Sequence, residues 1–427
     1  MTALHAAGLP EAAIRARARS GAAAAFPDVD SYGHTLFGDE GRPVGDPLDR
    51  ARLVPPVFVP QRLEKLIDLG REPLFSDVDL STVIGGFSAA LPVYVSAFGS
   101  TQVASRDLGT AVARQAGRLG VPMAIGENIV PVSGYGRVET EEQRSLLRRI
   151  EAYAEHLPDG LGGLVVQQST EDADAEVWNL VYSDPRTRGL LESGRLGFEL
   201  KVGQGAKPGL GGMTVLPRGE AAALADRFQL QDVFGPDDPR VLRSSSPGTF
   251  TDEILRQQIR LMRNNFPRAR VWVKLPPARD VAEAARVAWA AGADAVTVDG
   301  AEGGSGWVPG LFPAQVGLPL HECLHRIGAP QGCLLASGRI WEGARAAKAL
   351  ALGATAVGLG RAALLAADED PEAGLTRLLE CLALELRLVT SALGVYTSGA
   401  LTPEDVWFGP TTTAERVPQP TEGHLHG

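Results

Sequence analysis

Between residues 93 and 359, short runs rich in Val and Ile alternate eight times with stretches of helical periodicity. The apolar runs fall at 93–98, 123–125, 163–167, 197–202, 271–275, 295–298, 334–336 and 356–359, and helical patterns at 107–119, 141–156, 170–181, 281–291 and 342–352 separate many of them. Strands that are apolar throughout and joined through helices pair in parallel, because the crossover covers both faces of the sheet. Eight such units predict a closed (β/α)8 barrel, an α/β fold of the TIM-barrel type, rather than an open doubly wound sheet. In such a barrel the loops after the strands build the active site. The one irregular connection, residues 203–250 after the fourth strand, is therefore a candidate substrate lid.

The remaining organisation follows from this frame. Residues 1–90 read as an N-terminal extension and a Pro-rich wrapping segment, 91–410 as the barrel, and 411–427 as a flexible tail. Residues 12–25 carry the pattern of a short amphipathic helix, and 47–75 reads as irregular. The chain has 41 Lys+Arg against 51 Asp+Glu, a net charge of −10, which disfavours nucleic acid or an anionic membrane as the main partner. Cys323, Cys333 and Cys381 form neither a disulfide framework nor a cysteine metal site. No apolar run approaches the roughly 18 residues that span a bilayer. Together these features lead to the expectation of a cytoplasmic enzyme with a small-molecule substrate.

The strand ends carry the chemistry. Leu335-Ala-Ser-Gly-Arg-Ile340 and Val357-Gly-Leu-Gly-Arg-Ala362 place a glycine and an arginine after the seventh and eighth strands. Backbone N–H groups in these two turns form a candidate phosphate cradle, where glycine permits close approach. Only five of the 41 basic residues are lysines, which singles out Lys201, Lys207 and Lys274 in Gly-rich or strand-end contexts. Lys274, inside an apolar fifth strand, is costly to bury unpaired and could instead neutralise an anion such as a reduced flavin.

Lys201-Val-Gly-Gln-Gly-Ala-Lys-Pro-Gly-Leu-Gly-Gly212, together with Val298-Asp-Gly-Ala-Glu-Gly-Gly-Ser-Gly306, resembles the FMN-binding synthase domain of glutamate synthase. The likeness runs from about Pro92 to Phe408, including Ala97-Phe-Gly-Ser100, Gly126-Glu127, Glu385-Leu-Arg387 and Leu393-Gly394. Strands five to eight also look like the wider FMN barrel class of 2-hydroxy acid oxidases. The resemblance implies FMN contacts from Ser96, Gln167, Lys201, Lys274, Asp299, Gly303 and Gly304, with the phosphate at Ser337, Gly338, Arg339, Gly360 and Arg361. It also implies that Lys207, Gln204, Arg227 and Glu302 face a 2-oxo or 2-imino acid: a cation pair would suit its carboxylate, and a lysine or Glu302 would serve as proton donor.

Some family parts have no counterpart. The chain starts Met1-Thr2 rather than with a catalytic cysteine, no glutaminase-sized region is visible, and only Cys381 follows Arg361, so no iron–sulfur cluster is expected. Arg243-Ser-Ser-Ser-Pro-Gly248 stands where the family has paired histidines. The expected activity is oxidation or reduction at the C–N bond of an amino or imino acid, with electrons or ammonia from a separate reductase or subunit, and possible homo-oligomerisation. The alternatives are a 2-hydroxy acid oxidase or isomerase, the oxidase weakened by the missing strand-end histidine base, and a zinc peptidase on His321-Glu-Cys-Leu-His325. The zinc motif falls on the sixth helix, outside the mouth, and Gln331 stands where a third histidine would be.

Overall fold

A computed structural model describes residues 4–25, 46–98, 108–126, 141–170, 175–203, 205, 214–221, 225–226, 228–233, 237–244, 249–304 and 312–409. Eight parallel strands close into a barrel in chain order: β1 (Val93–Phe98), β2 (Met123–Ile125), β3 (Leu164–Ser169), β4 (Leu196–Lys201), β5 (Arg270–Leu275), β6 (Ala295–Asp299), β7 (Leu334–Ser337) and β8 (Ala356–Leu359). The register that sets Lys274 opposite Lys201 joins β4 to β5, and Val357 opposite Val93 joins β8 to β1.

The helices include α1 (Glu11–Ser20), α2 (Gly109–Arg118), α3 (Glu141–Ala154), α4 (Ala175–Ser183), α5 (Asp252–Asn265), α6 (Val281–Ala290), α7 (Leu320–Ile327), α8 (Gly343–Ala351), α9 (Arg361–Glu369) and α10 (Gly374–Ala392). Their apolar faces meet the outward side chains of the strands in one continuous core of Val, Leu, Ile and Ala. The amphipathic helix expected near the N-terminus is α1, which packs on α9 and α10 and is pinned by Arg15–Asp368 at 2.8 Å and Arg17–Glu385 at 2.7 Å. No helix among the described residues is long and apolar enough to cross a membrane.

The barrel interior changes character along its axis. At the N-terminal end, Tyr94, Ala124, Val165, Trp272, Ala295, Leu335 and Ala356 pack with Ile84, Phe87 and Ala89 from an antiparallel hairpin, Thr82–Ile84 with Phe87–Ala89. The hairpin turns on Gly85 and Gly86 at φ 53° and 92°, a pair of left-handed residues that glycine adopts without a Cβ penalty. Its Gly85 carbonyl accepts from Trp272 Nε1 at 3.1 Å, so the plug and the β5 floor are one unit. Two residues further along the strands, the inward positions become Ser96, Gln167, Glu199, Lys274, Thr297 and Ser337, all buried and all polar.

Two expectations need correction. The segment 47–75 is not irregular: Pro47–Arg50 and Pro60–Leu69 are helices, each with proline in its first turn, and the second is closed by Gly70 at φ 66°. The long connection after β4 carries its own antiparallel sheet, with Arg240–Ser244 between Thr214–Pro217 and Gln229–Gln231. The expected tail at 411–427 lies outside the described residues.

Candidate active site

Strand alternation explains why one ring of side chains meets at the mouth. Residues two apart on a strand share a face, so Tyr94 and Ser96, Trp272 and Lys274, Thr297 and Asp299, and Leu335 and Ser337 all point inward. Lys274 has the partner that burial in an apolar strand demands: its Nζ lies 3.0 Å from Asp299 Oδ2, both side chains being 6% exposed. Burial alone would lower the Lys274 pKa, but the Asp299 carboxylate paired with it leads the opposing effects and the value is raised, keeping the lysine cationic. Ser337 Oγ donates to the other Asp299 oxygen, so β5, β6 and β7 are tied by one carboxylate.

Glu199 stands below this pair. Gln167 Nε2 donates to its Oε2 and Thr297 Oγ1 to its Oε1 at 3.0 Å. Burial pushes the carboxyl of Glu199 upward, against the nearby Lys274. Sequence reasoning passed over Glu199. Its signal was a carboxylate at an alternate position of an apolar strand, in Leu196-Gly-Phe-Glu-Leu-Lys201, but its partners lie on β3 and β6.

The two glycine–arginine turns follow the neighbouring strands β7 and β8. Gly338 has φ 136°, and Arg339, at φ 54°, is the one positive-φ residue other than glycine among the described residues. A side chain in that region costs on the order of 1 kcal/mol and persists where its surroundings hold it. Here Arg339 Nη1 lies 2.9 Å from Asp49, and Arg345 donates twice to the Gly338 carbonyl, at 3.1 and 2.9 Å. Arg361, at the start of α9 after Gly360, donates from Nη1 to Ala7 O and from Nη2 to Glu302 O, both at 2.6 Å. Burial lowers the pKa of Arg361, and the neighbouring Arg339 adds to the shift.

Glu302 sits behind this turn. Its carboxyl accepts from Leu320 N at 3.1 Å and lies 2.8 Å from Arg345 Nη2, while Arg345 also pairs with Asp46 at 2.5 Å and Asp49 at 2.7 Å. Burial and the neighbouring Asp46 push Glu302 up to about 8. The sequence proposed Glu302 as a proton donor to substrate; its side chain meets Arg345 of α8, the start of α7 and Asp46 of the N-terminal segment. Gly303 and Gly304 remain at the mouth: Gly303 closes a turn onto Gly300 O at 2.8 Å, and a Cβ on Gly304 would rest 3.7 Å from Arg361. A Cβ on Gly205 would lie 3.2 Å from Gly303 O, so the two Gly-rich segments of the sequence abut. Lys201 is half-buried at the end of β4. Gln204, Lys207 and Arg227 lie outside the described residues.

These residues fit a flavin ring and its phosphate. Ser96 Oγ and Arg339 Nε are buried without a hydrogen-bond partner among the described residues. Gly358 leaves the space in front of Ser96 that any Cβ would fill. Two guanidiniums beside the N-terminus of α9 form an anion site in the position where barrels of this type grip phosphate. On α7 the zinc motif is otherwise engaged: the His321 ring lies 4.2 Å from that of Phe408 and 6.1 Å from that of His325, and Glu322 pairs with Arg326 at 2.7 Å. No third metal-ligating side chain joins them among the described residues.

Residues 190–369 match the conserved region in glutamate synthase. The chain is 31% identical over 278 residues to a glutamate synthase large subunit-like protein of Rhizobium meliloti, covering 62% of this chain and 59% of that one. It is 30% identical over 264 residues to an archaeal-type glutamate synthase [NADPH] of Dehalococcoides mccartyi, covering 57% and 51%. The match thus spans about half to three-fifths of these relatives' length. Among solved structures, the barrel is similar to an L230A mutant flavocytochrome b2 with benzoylformate, at a TM-score of 0.55 and 18% identity over 89% of this chain and 84% of that one. It is also similar to an active chimera of (S)-mandelate dehydrogenase, at a TM-score of 0.50 and 19% identity, covering 84% and 88%. At these identities the likeness is one of fold.

Proposed function

From a glutamate synthase-like (β/α)8 barrel whose residues 190–369 carry that enzyme's conserved region, we propose an FMN-dependent oxidoreductase acting on the C–N bond of a 2-amino or 2-imino acid. The reaction is reductive amination of a 2-oxo acid or the reverse oxidation. The observation that carries this reading is that Arg339 and Arg361 follow glycine in the turns after the adjacent strands β7 and β8, next to the Lys274–Asp299 pair of β5 and β6. An anion of phosphate size and a polar ring system match that division.

Bound FMN would supply the hydride chemistry. The chain's own residues supply charge and geometry. Arg339 and Arg361, with the turn at Gly338 and the helix start after Gly360, would hold the phosphate. Lys274, kept cationic by Asp299, would place positive charge where a reduced ring gathers negative charge. Ser96 and Gln167 would present polar groups to the ring. Lys207 and Arg227, with Gln204 beside Lys207 in the motif, would bind the substrate carboxylate and deliver a proton. Electrons or ammonia would come from a separate reductase or subunit, and the relatives named for NADPH make it the first donor to try.

The experiment is an anaerobic absorbance titration of the FMN-loaded protein, first with amino acids, then with NADPH, with and without a reductase. Bleaching by an amino acid supports C–N oxidation. Bleaching by reductant alone, reversed by a 2-oxo acid with ammonia, supports reductive amination. Bleaching by 2-hydroxy acids but not amino acids contradicts the reading. In the same assay Lys207→Ala keeps FMN and loses about 100-fold or more in turnover.

A further inference from the structure

Glu199 is 1% exposed in the middle of the barrel, one layer below the proposed flavin site. Its hydrogen bonds come from two neutral groups, the Gln167 amide and the Thr297 hydroxyl. The nearest cation, Lys274, is committed to Asp299, which also takes the Ser337 hydroxyl. The titratable groups facing Glu199 are Lys274 on β5, Asp299 on β6 and Tyr94 on β1, and burial pushes the Tyr94 phenol up to about 12, so it adds no charge. One cation and two carboxylates in a water-poor layer leave a surplus negative charge, and a buried charge without a partner is resolved by taking up a proton.

We propose that Glu199 is a neutral carboxylic acid in the barrel interior and a positioning residue of the site: its proton sits on Oε1 and is donated to Thr297 Oγ1, the hydroxyl turning to accept it, while Oε2 accepts from the Gln167 amide, so Glu199 fixes that amide and leaves the Lys274–Asp299 pair electrically balanced. Ionisation of Glu199 would place a second negative charge beneath Lys274 and weaken the positive field at the mouth. The direction of its pKa agrees with this assignment. The assignment concerns the cofactor-free protein; its consequence for catalysis rests on the flavin reading above.

The test is infrared spectroscopy of the cofactor-free protein near pH 7, as a wild-type minus Glu199→Gln difference. A protonated-carboxyl C=O band that shifts in D2O is expected; carboxylate stretches in its place would overturn the proposal. Should Glu199→Gln fail to fold, Thr297→Val keeps the question open to measurement. Loss of its hydrogen bond moves that same band to higher frequency, whereas no change in any protonated-carboxyl band counts against the proposal. Stability gives an independent readout. Because the acid binds its proton more tightly folded than unfolded, wild type loses up to tenfold in its folding constant per pH unit relative to Glu199→Gln, once pH rises past the ordinary carboxylate range. Parallel curves, or a wild type that gains, would contradict it. In the FMN-loaded enzyme the alkaline limb of the rate profile set by Glu199 is absent from Glu199→Gln. Failure of wild type to bind FMN would sink the proposed function while leaving the proton assignment to the infrared result.

Discussion

Two buried ionic clusters lie on either side of the β6 and β7 ends, and their compositions are alike. Inside the barrel, Lys274 faces Asp299 and Glu199; outside it, Arg345 and Arg339 face Asp46, Asp49 and Glu302. Each has one carboxyl more than it has cations, and in each one carboxyl, Glu199 or Glu302, has its pKa pushed up. They differ in what they hold. The outer cluster ties residues 46–49 to the Gly338 carbonyl and the β6 loop, positions far apart in sequence, so its work is to fix loop geometry, and Arg339 alone reaches from it, through Asp49, to the proposed phosphate turn. The inner cluster opens on the mouth and joins only neighbouring strands that the barrel already holds. Similar ion pairs thus serve stability in one place and a site in the other, and substitutions should separate the two.

The largest effect on folding is expected from Arg345→Ala. Removing the central guanidinium strands Asp46 and Glu302, leaves Asp49 to Arg339 alone and releases Gly338, costing about 3–5 kcal/mol, read from denaturant midpoints. Asp299→Asn keeps the shape and the Ser337 contact but removes the counter-charge of Lys274, for a cost of about 1–3 kcal/mol together with weakened flavin retention. A larger loss at Asp299 than at Arg345 would reverse the division of labour.

The pH dependence sharpens the comparison. Glu302, raised to about 8, binds its proton more tightly folded than unfolded, so stability present at lower pH is lost as pH rises from the ordinary carboxylate range toward about 8. Burial would raise Asp46, but Glu302 and Arg345 hold it low, so its contribution is present above the ordinary value and lost as pH falls through the lowered one. Glu302→Gln should flatten the alkaline loss, on the order of 1–3 kcal/mol, in pH-dependent unfolding. An unchanged slope would place the titrating proton elsewhere. The smallest effect belongs where neither cluster reaches. Arg326→Ala breaks a half-exposed pair with Glu322 and should cost at most about 0.5 kcal/mol in thermal unfolding, with no sensitivity to chelators.

The barrel was legible because strand and helix periodicities are local, and the strand-end residues named from Lys274 to Arg361 lie in the motifs that singled them out. The clusters were not, since nothing local says that Asp46 will meet Arg345 or that Gln167 will meet Glu199. The plug hairpin does carry a local signal, Gly85-Gly86 between alternating residues, but its three-residue strands are too short for periodicity to mark. Lys274 shows the limit from the other side: its importance was visible, but its partner Asp299 came from the register of β5 and β6.

The most direct test of the account is the affinity of the cofactor-free protein for FMN against riboflavin, which lacks the phosphate, followed by flavin fluorescence. With Arg339 and Arg361 on the phosphate, FMN should bind about 100-fold more tightly, and Arg361→Ala should remove most of that ratio while leaving riboflavin binding in place. Equal affinities for the two flavins, or binding of neither, would contradict it.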